Sequence, residues 1–185
     1  MSQRNSEYER KDRELYETPE WVTEAVLPHL RPLRKALEPC VATGKIARVL
    51  RQVTDTVTGI DLVPGPPYMQ GDFLSLNDDF DDIVTNPPFG IQGRLAMKFI
   101  EHSLTLTKAR RGQVAMLLRA DFAHGKTRKH IFKDCPFFKK KIELTKRIVW
   151  FEPEPGEKNK GPSENHAWFL WDYRHGGPPT VSFEP

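Results

Sequence analysis

The stretch Ile83-Val84-Thr85-Asn86-Pro87-Pro88-Phe89 joins a short apolar run to a rigid polar turn. Each proline holds its own φ near one value and restricts the residue before it, so the turn is stiff. An Asn side-chain oxygen and a backbone carbonyl on such a turn can accept both N–H groups of a planar amine without taking a full charge. A following aromatic ring offers a flat face for stacking. The four residues of this predicted acceptor site are Asn86, Pro87, Pro88 and Phe89.

Strands and helices alternate along the chain on both sides of this turn. Buried apolar runs predict strands over residues 36–38, 56–61, 68–70, 80–85, 113–118, 147–151 and 167–171. Helical spacing predicts helices over 45–51 and 95–106 and one near the start, which Thr18 can cap with Pro19 at its first position. This alternation favours a parallel sheet that is covered on both faces.

Length and composition indicate one domain. A chain of 185 residues is long enough for one well-packed domain and too short for two ordinary ones. We expect a charged arm over 1–15, a single domain over 16–174 that includes a loop over 152–165, and a surface tail over 175–185. No signal peptide is recognisable, and no apolar run approaches the roughly 20 residues of a membrane span. Two distant cysteines indicate neither a disulfide framework nor a metal site. These features predict a cytoplasmic protein with no membrane partner.

The distribution of charge says more than the net charge of +3. Cations cluster from His124 to Arg147, where Asp134 and Glu143 are the only acids. Such a cluster gives salt-sensitive affinity for phosphates and favours a polyanion over the alternative of a solvated basic face. The candidate phosphate contacts are His124, Lys126, Arg128 and Lys129, whereas Phe132, Phe137 and Phe138 are expected to fill the core.

A glycine-bearing turn, Glu38-Pro39-Cys40-Val41-Ala42-Thr43-Gly44, follows the first predicted strand. Open α/β sheets bind ligands outside the carboxyl ends of their strands, where such a turn lets a helix amino terminus approach. An acid for the ribose of a nucleotide-like cofactor is expected about 20 residues further on, where Asp61 ends the second predicted strand. A dehydrogenase would use the same acid, but the turn lacks the three-glycine pattern that binds a pyrophosphate.

Residues 86–89 resemble the Asn/Asp-Pro-Pro-Tyr/Phe signature of amino-group methyltransferases that use S-adenosylmethionine (SAM). That family includes adenine methyltransferases of DNA or RNA and glutamine methyltransferases of protein. The turn after the first strand resembles its Asp/Glu-Pro-x-x-Gly-x-Gly motif, with Ala42 in place of the first glycine. A positive φ there would cost Ala about 1 kcal/mol. The resemblance implies a class I, Rossmann-like methyltransferase: a mostly parallel sheet with helices on both faces and an antiparallel last strand.

The resemblance also implies roles in binding SAM. The acid that starts the turn, Glu38, would face the methionine amino group. Gly71-Asp72-Phe73 resembles the adenine pocket, with Asp72 accepting from the adenine amine and Phe73 against the ring. Tyr16-Glu17-Thr18-Pro19 resembles the motif that packs on the methionine end. The implied cofactor residues are Tyr16, Thr18, Pro19, Glu38, Cys40, Thr43, Gly44, Asp61, Asp72, Phe73 and Asn86.

Four acceptors fit the motif: adenine in DNA, adenine in RNA, glutamine in a protein, and a small amine. The basic stretch favours a nucleic acid. Residues 118–122, a basic helix after them, 146–148 and 166–172 resemble compact adenine methyltransferase-like proteins of bacteria and their phages. A flipped duplex adenine would be recognised by loops over 90–94, 121–127 and 152–165. We therefore expect adenine methylation with DNA favoured over RNA. The alternatives are a protein glutamine methyltransferase and a SAM-fold protein that binds nucleic acid without catalysis.

Overall fold

The computed structural model describes residues 16–150 and 164–185, which form one eight-stranded sheet. The predicted arm over 1–15 and most of the predicted loop over 152–165 lie outside these residues. The strands are β1 Lys35–Glu38, β2 Thr56–Asp61, β3 Met69–Gln70, β4 Asp82–Thr85, β5 Gln113–Arg119, β6 Phe138–Leu144, β7 His166–Asp172 and β8 Thr180–Glu184. Their order in the sheet is β3-β2-β1-β4-β5-β7-β6-β8.

Strand directions confirm the predicted fold class. The strands β1 to β5 run parallel to one another. The seventh strand, β7, lies antiparallel between β5 and β6, whereas β8 runs parallel to β6 at the edge. Because parallel strands present their carboxyl ends at one edge of the sheet, the turns after β1, β2 and β4 meet there.

Helices cover both faces of the sheet, as the alternating pattern predicts. The described helices are α1 Glu20–Glu24, α2 Lys45–Leu50 and α3 Arg94–Lys108. On one face α3 buries Phe99 and Ile100 against Met116 of β5. On the other face, α1 and α2 bury Val22 and Leu50. None of the helices in residues 16–150 and 164–185 is long and apolar enough to cross a membrane.

The central strands β5 and β7 explain the stability of this core. Their side chains are almost all buried, and seven residue pairs are in register between them. The indole of Trp168 donates to the Val22 carbonyl on one face, and that of Trp171 donates to the Ile131 carbonyl on the other, each at 2.7 Å. These bonds satisfy the polar atom of each buried indole and attach both layers to β7.

The sixth strand corrects the prediction for the basic stretch. A strand was expected over 147–151, but its described residues 147–150 have no regular structure, and β6 lies earlier. Three consecutive lysines hide β6 in the sequence because they suit a solvated helix better than a strand. In the structure Lys139 donates to Asp172 at 3.3 Å, Lys140 contacts His29 at 3.2 Å, and Lys141 pairs with Glu143. These partners make the strand compatible with three adjacent cations.

Two terminal details also differ from the prediction. The first helix begins at Glu20, Pro19 occupies its N-cap position, and no side chain caps it, so Thr18 is not the cap. Residues 175–185 were expected to lie along the surface as a tail, but Thr180–Glu184 forms the edge strand β8. Its partner β6 was itself unrecognised, so the sequence offered nothing with which a last strand could pair.

Candidate active site

A pocket opens at the carboxyl edge of the sheet, where β1 and β4 end. Its lining combines the amino-terminal segment, the turn after β1 and the acceptor motif: Tyr16, Glu17, Thr18, Cys40, Val41, Ala42, Thr43, Lys45, Ile46 and Asn86. Five of the residues implied by the resemblance, Tyr16, Thr18, Cys40, Thr43 and Asn86, are therefore brought together around one pocket. The turn after β1 and the motif after β4 meet here because these parallel strands end side by side, and a hydrogen bond from Asn86 attaches Tyr16, which lies 70 residues earlier.

Glu38 ends β1, just before the turn that lines this pocket, and is fully buried. Its Oε1 accepts from the Cys40 amide at 3.1 Å and from the Thr85 hydroxyl at 2.6 Å. Among the described residues nothing hydrogen-bonds to Oε2. Burial raises the pKa of Glu38 to about 8 and also raises the pKa of the neighbouring Cys40 thiol. An unpaired buried carboxyl oxygen is costly, so the position favours a ligand that brings a hydrogen-bond donor or a cation.

The turn after β1 has a strained backbone at Ala42, the residue that replaces the first glycine of the motif. Ala42 has a φ of 45°, in the left-handed region, and Gly44 follows with a φ of 89°. A Cβ at Gly44 would collide with the ring of Tyr68, so a side chain there would have to displace that ring and also adopt a strained φ. Asp61, at the end of β2, holds the turn: its Oδ2 accepts from the Ala42 amide at 3.0 Å. Its Oδ1 accepts from the Val63 amide at 3.2 Å.

The amino-terminal segment is fastened over this turn by Glu17. Its carboxylate accepts from the Thr43 hydroxyl and pairs with the Lys45 ammonium at 2.8 Å. The hydrogen bonds from Lys45 and Thr43 lower the pKa of Glu17. Glu17 lies within a predicted motif and Lys45 starts a predicted helix, but the sequence indicates no contact between them. An acid and a base separated by one whole strand give no local signal of pairing.

Asn86 points its amide at the same segment. Its Nδ2 donates to the Tyr16 carbonyl at 3.3 Å, which leaves Oδ1 as the acceptor atom of the side chain. The next residue, Pro87, is buried, and Asn86, Pro88 and Phe89 are half-buried. The motif therefore lies at the protein surface on a rigid support.

An aromatic group extends from Tyr16 away from the acceptor motif. The rings of Tyr16 and Trp150 meet edge to face at 5.5 Å, and Trp150 meets His166 at 5.2 Å. His166 starts β7 opposite Arg119, and burial lowers its pKa to about 4, so the imidazole is neutral. Trp150 lies in a predicted strand and His166 in a segment quoted for the resemblance, but the sequence does not indicate their contact, because the pairing of β7 with β5 brings His166 to this edge.

The two residues of the predicted adenine pocket lie in different environments. Asp72 is exposed, and its Oδ1 accepts from the Leu74 amide at 2.9 Å. Phe73, by contrast, is 2% exposed and packs in the core, with its ring centroid 4.9 Å from those of both Phe99 and His102. The prediction that the Phe73 ring lies against a ligand is therefore wrong. A short 3₁₀ helix over Phe73–Ser75 turns this apolar side chain inwards.

The four candidate phosphate contacts lie in two different environments. His124 and Lys126 are exposed, and Lys129 pairs with Asp134 at 2.9 Å on the surface. Arg128 is half-buried instead, with its guanidinium carbon 3.9 Å from the ring centroid of Phe122. The basic stretch therefore contains two kinds of cation. His124 and Lys126 are exposed, whereas Arg128, Lys129 and the lysines of β6 have partners within the chain. No group of three or more metal-ligating side chains occurs in the described residues.

Comparison with known proteins extends these observations at the level of the fold. No family model and no curated protein matches the sequence. The modification subunit assigned to a type I restriction enzyme of Vibrio vulnificus YJ016 aligns with a TM-score of 0.63 and 15% identity over 91% of this chain and 46% of its own. The 23S rRNA methyltransferase ErmE aligns at 0.56 and 17%, over 89% of this chain and 70% of its own.

A protein of Listeria monocytogenes assigned to the class I SAM-dependent methyltransferases aligns at 0.57 and 16% identity, over 89% of this chain and 62% of its own. The present chain thus spans less than half of the Vibrio subunit and under two thirds of the Listeria protein. Structural similarity at such low identity identifies the fold. The chain has the fold of the class I SAM-dependent methyltransferases.

Proposed function

We propose that this protein transfers a methyl group from SAM to the exocyclic amine of adenine in a nucleic acid, with DNA favoured over RNA. The observation that carries this proposal is the position of residues 86–89 at the carboxyl end of β4, where Asn86 lines the pocket and the unpaired oxygen of Glu38 is buried at the end of the neighbouring strand β1. An acceptor motif for a planar amine and a buried acid that lacks a cationic partner lie at one edge of the sheet.

The residues around the pocket fit SAM. Oε2 of Glu38 would take the methionine amino group, and the cation would satisfy an otherwise unpaired buried atom. The exposed carboxylate of Asp72 is a candidate for the adenine amine. Asp61 would meet the ribose while it continues to hold the turn at Ala42. When bound, SAM supplies an electrophilic methyl group.

The acceptor residues would orient the amine. Oδ1 of Asn86 and the Pro87 carbonyl would accept its two N–H groups, so that the nitrogen lone pair turns towards the pocket. The half-buried ring of Phe89 would stack on the base. No general base of high pKa is required, because the methylated amine loses its extra proton readily.

Nucleic acid is favoured as the acceptor by the exposed cations near the motif and by the structural neighbours. These neighbours include a restriction-enzyme modification subunit and a 23S rRNA methyltransferase. Glutamine in a protein is the second candidate, and one observation favours it. Arg128, Lys129 and the β6 lysines already have partners within the chain, which reduces the cationic surface available to phosphates.

One experiment tests the proposal. The protein is incubated with isotopically labelled SAM and a mixture of unmethylated DNA and RNA, and the polymers are digested to nucleosides for mass spectrometry. Label in 6-methyladenine from DNA is the expected result, and label from RNA alone would reverse the preference. Absence of label from both would refute nucleic-acid methylation. The same incubation with a protein extract then tests for methylglutamine.

A further inference from the structure

Arg128 contacts both loops that flank the acceptor motif. Its Nη1 donates to the Phe122 carbonyl at 2.6 Å, and its Nη2 donates to the Gln92 carbonyl at 2.8 Å. The guanidinium plane also lies over the Phe122 ring at 3.9 Å. Only the planar fork of an arginine can make these three contacts together, because an ammonium is a point donor that cannot reach both carbonyls while stacking.

The loop held by Arg128 has a strained backbone. Gly90, Gln92 and Gly93 all have positive φ, at 62°, 57° and 74°. For Gln92 this conformation is unfavourable, and strained residues persist only where their surroundings determine them. Gly93 leaves room for the contact, since a Cβ there would lie 2.8 Å from both Arg128 Nη2 and the Phe122 ring.

The sheet holds the segment that carries Arg128 in place. Arg128 belongs to a 3₁₀ helix over Lys126–Ile131, and Ile131 is buried. The Ile131 carbonyl accepts from the indole of Trp171 in β7 at 2.7 Å. The sheet therefore fixes the 3₁₀ helix, and the helix fixes the two loops through a single side chain.

Phe122, which Arg128 contacts, in turn contacts Phe89 of the acceptor motif. The Phe122 ring meets the Phe89 ring edge to face at 6.4 Å. The carbonyl of Phe89 accepts from the amides of Leu95 and Ala96, at 3.2 and 3.4 Å, where α3 begins. The orientation of Phe89 thus depends on Phe122 from one side and on the loop over 90–93 from the other.

We propose that Arg128 is a positioning residue of the acceptor site, which joins the loop over 90–93 to Phe122 and thereby sets the orientation of the Phe89 ring. This role replaces the phosphate contact expected from the sequence. The acceptor part of the inference rests on the proposed function, whereas the ordering of the loop does not.

Two substitutions separate positioning from phosphate binding. R128K keeps the charge and removes the planar fork, whereas R128M removes both. K133M is the matched control, because it removes one exposed cation of the same basic stretch that makes none of these contacts. Full-length wild type and variants are compared by hydrogen exchange of the amides of 90–96, by SAM affinity, and by kcat/KM for the nucleic acid.

Positioning predicts that R128K behaves like R128M. In both, the amides of 90–96 should exchange about tenfold faster or more, since the loop loses its fixed support. The value of kcat/KM for the acceptor should fall by about tenfold or more through misplacement of the stacking ring, while the SAM dissociation constant changes by less than about twofold. In K133M, exchange should be unchanged.

The opposite pattern would overturn the inference. If Arg128 binds phosphate, R128K should match the wild type in exchange and in kcat/KM, and R128M should lose salt-dependent affinity with its loop still protected. Exchange needs no substrate, so it remains decisive if the wild type methylates no nucleic acid. In that case the proposed function fails, whereas protection of 90–96 that depends on Arg128 would still establish the contact.

Discussion

The side-chain amide of Asn86 donates to the backbone carbonyl of Tyr16 across 70 residues of sequence. The residue after Tyr16 is Glu17, whose carboxylate binds Thr43 and Lys45 in the turn after β1. The amino-terminal segment therefore touches the acceptor motif on one side and the cofactor turn on the other. We therefore expect a ligand that displaces one of these contacts to affect the other.

Asn86 is the residue whose replacement should affect chemistry most. N86A removes the acceptor oxygen and should abolish turnover, while SAM binding, measured by calorimetry, stays within about threefold of the wild type. N86D keeps an acceptor oxygen but loses the bond to Tyr16, so its rate should lie between those of N86A and the wild type. Full activity of N86A would rule out the assigned acceptor site.

Glu17 should couple the two halves of the site. E17Q weakens its bonds to Lys45 and Thr43, and we expect the dissociation constant of SAM to rise by about fivefold, since charge-assisted bonds of partly buried groups are the stronger kind. E20Q is the control, because the ion pair that Glu20 forms within the described residues is an exposed one with Arg48 at 3.4 Å. Equal SAM affinities of E17Q and E20Q would show that the contacts of Glu17 with the turn after β1 do not contribute to SAM binding.

Glu38 should make cofactor affinity depend on pH. Its pKa of about 8 means that the carboxyl is mostly protonated at neutral pH when no ligand is bound. A SAM ammonium pairs with the ionised form, so the SAM dissociation constant should fall as pH rises from 6 to 8, by up to about tenfold per unit. E38Q should bind weakly and show no such trend in calorimetry at these pH values. A flat wild-type profile would contradict the role of Glu38.

The same group should make folding stability depend on pH. Burial raises the folded-state pKa of Glu38 from 4.5 to about 8, so the folded form keeps a proton that the unfolded form releases. The stabilising effect is complete below 4.5 and is lost as pH rises through 8, by at most about 1.4 kcal/mol per pH unit. Urea unfolding at several pH values checks this slope. We expect E38Q to lose this part of the pH dependence.

Ala42 offers a test of backbone strain. A42G should raise the free energy of unfolding by about 0.5–1 kcal/mol, because its φ of 45° is costly for Ala and ordinary for Gly. A109G is the matched control, since Ala109 has a φ of −62° at the end of α3. We expect this substitution to lower the free energy of unfolding by a similar amount. Denaturant unfolding of both variants gives the comparison. A loss of stability in A42G would mean that the turn is not strained.

Local patterns predicted the amino-terminal half of the sheet well. Thr56–Asp61 was expected over the same residues in which β2 occurs, because a β-rich run there ends at a loop of Gly and Pro. The strand β6 was missed because its lysines are compatible with the sheet only through Asp172, His29 and Glu143. Asp172 and His29 are distant in sequence, and Glu143 lies in β6 itself. The sequence around the lysines therefore does not reveal these contacts.

The same distinction applies to the candidate site. Glu38 and Asn86 could be predicted to lie near the pocket because each directly follows or ends a strand, and strand ends meet by topology. The contacts of Glu17 and Arg128 could not, because they depend on loop conformations such as the positive φ of Gln92. The prediction for the Phe73 ring was wrong for a related reason, because one short helical turn determines whether this ring faces the core or a ligand.

The four tryptophans make the protein its own optical probe. Trp168 and Trp171 have no exposed surface, and each indole has a carbonyl partner, so their emission should stay blue-shifted until the sheet itself unfolds. Trp150 is half-buried and touches Tyr16, which lines the pocket. Its emission should follow occupancy of the site, and the difference between wild type and W150F isolates that signal.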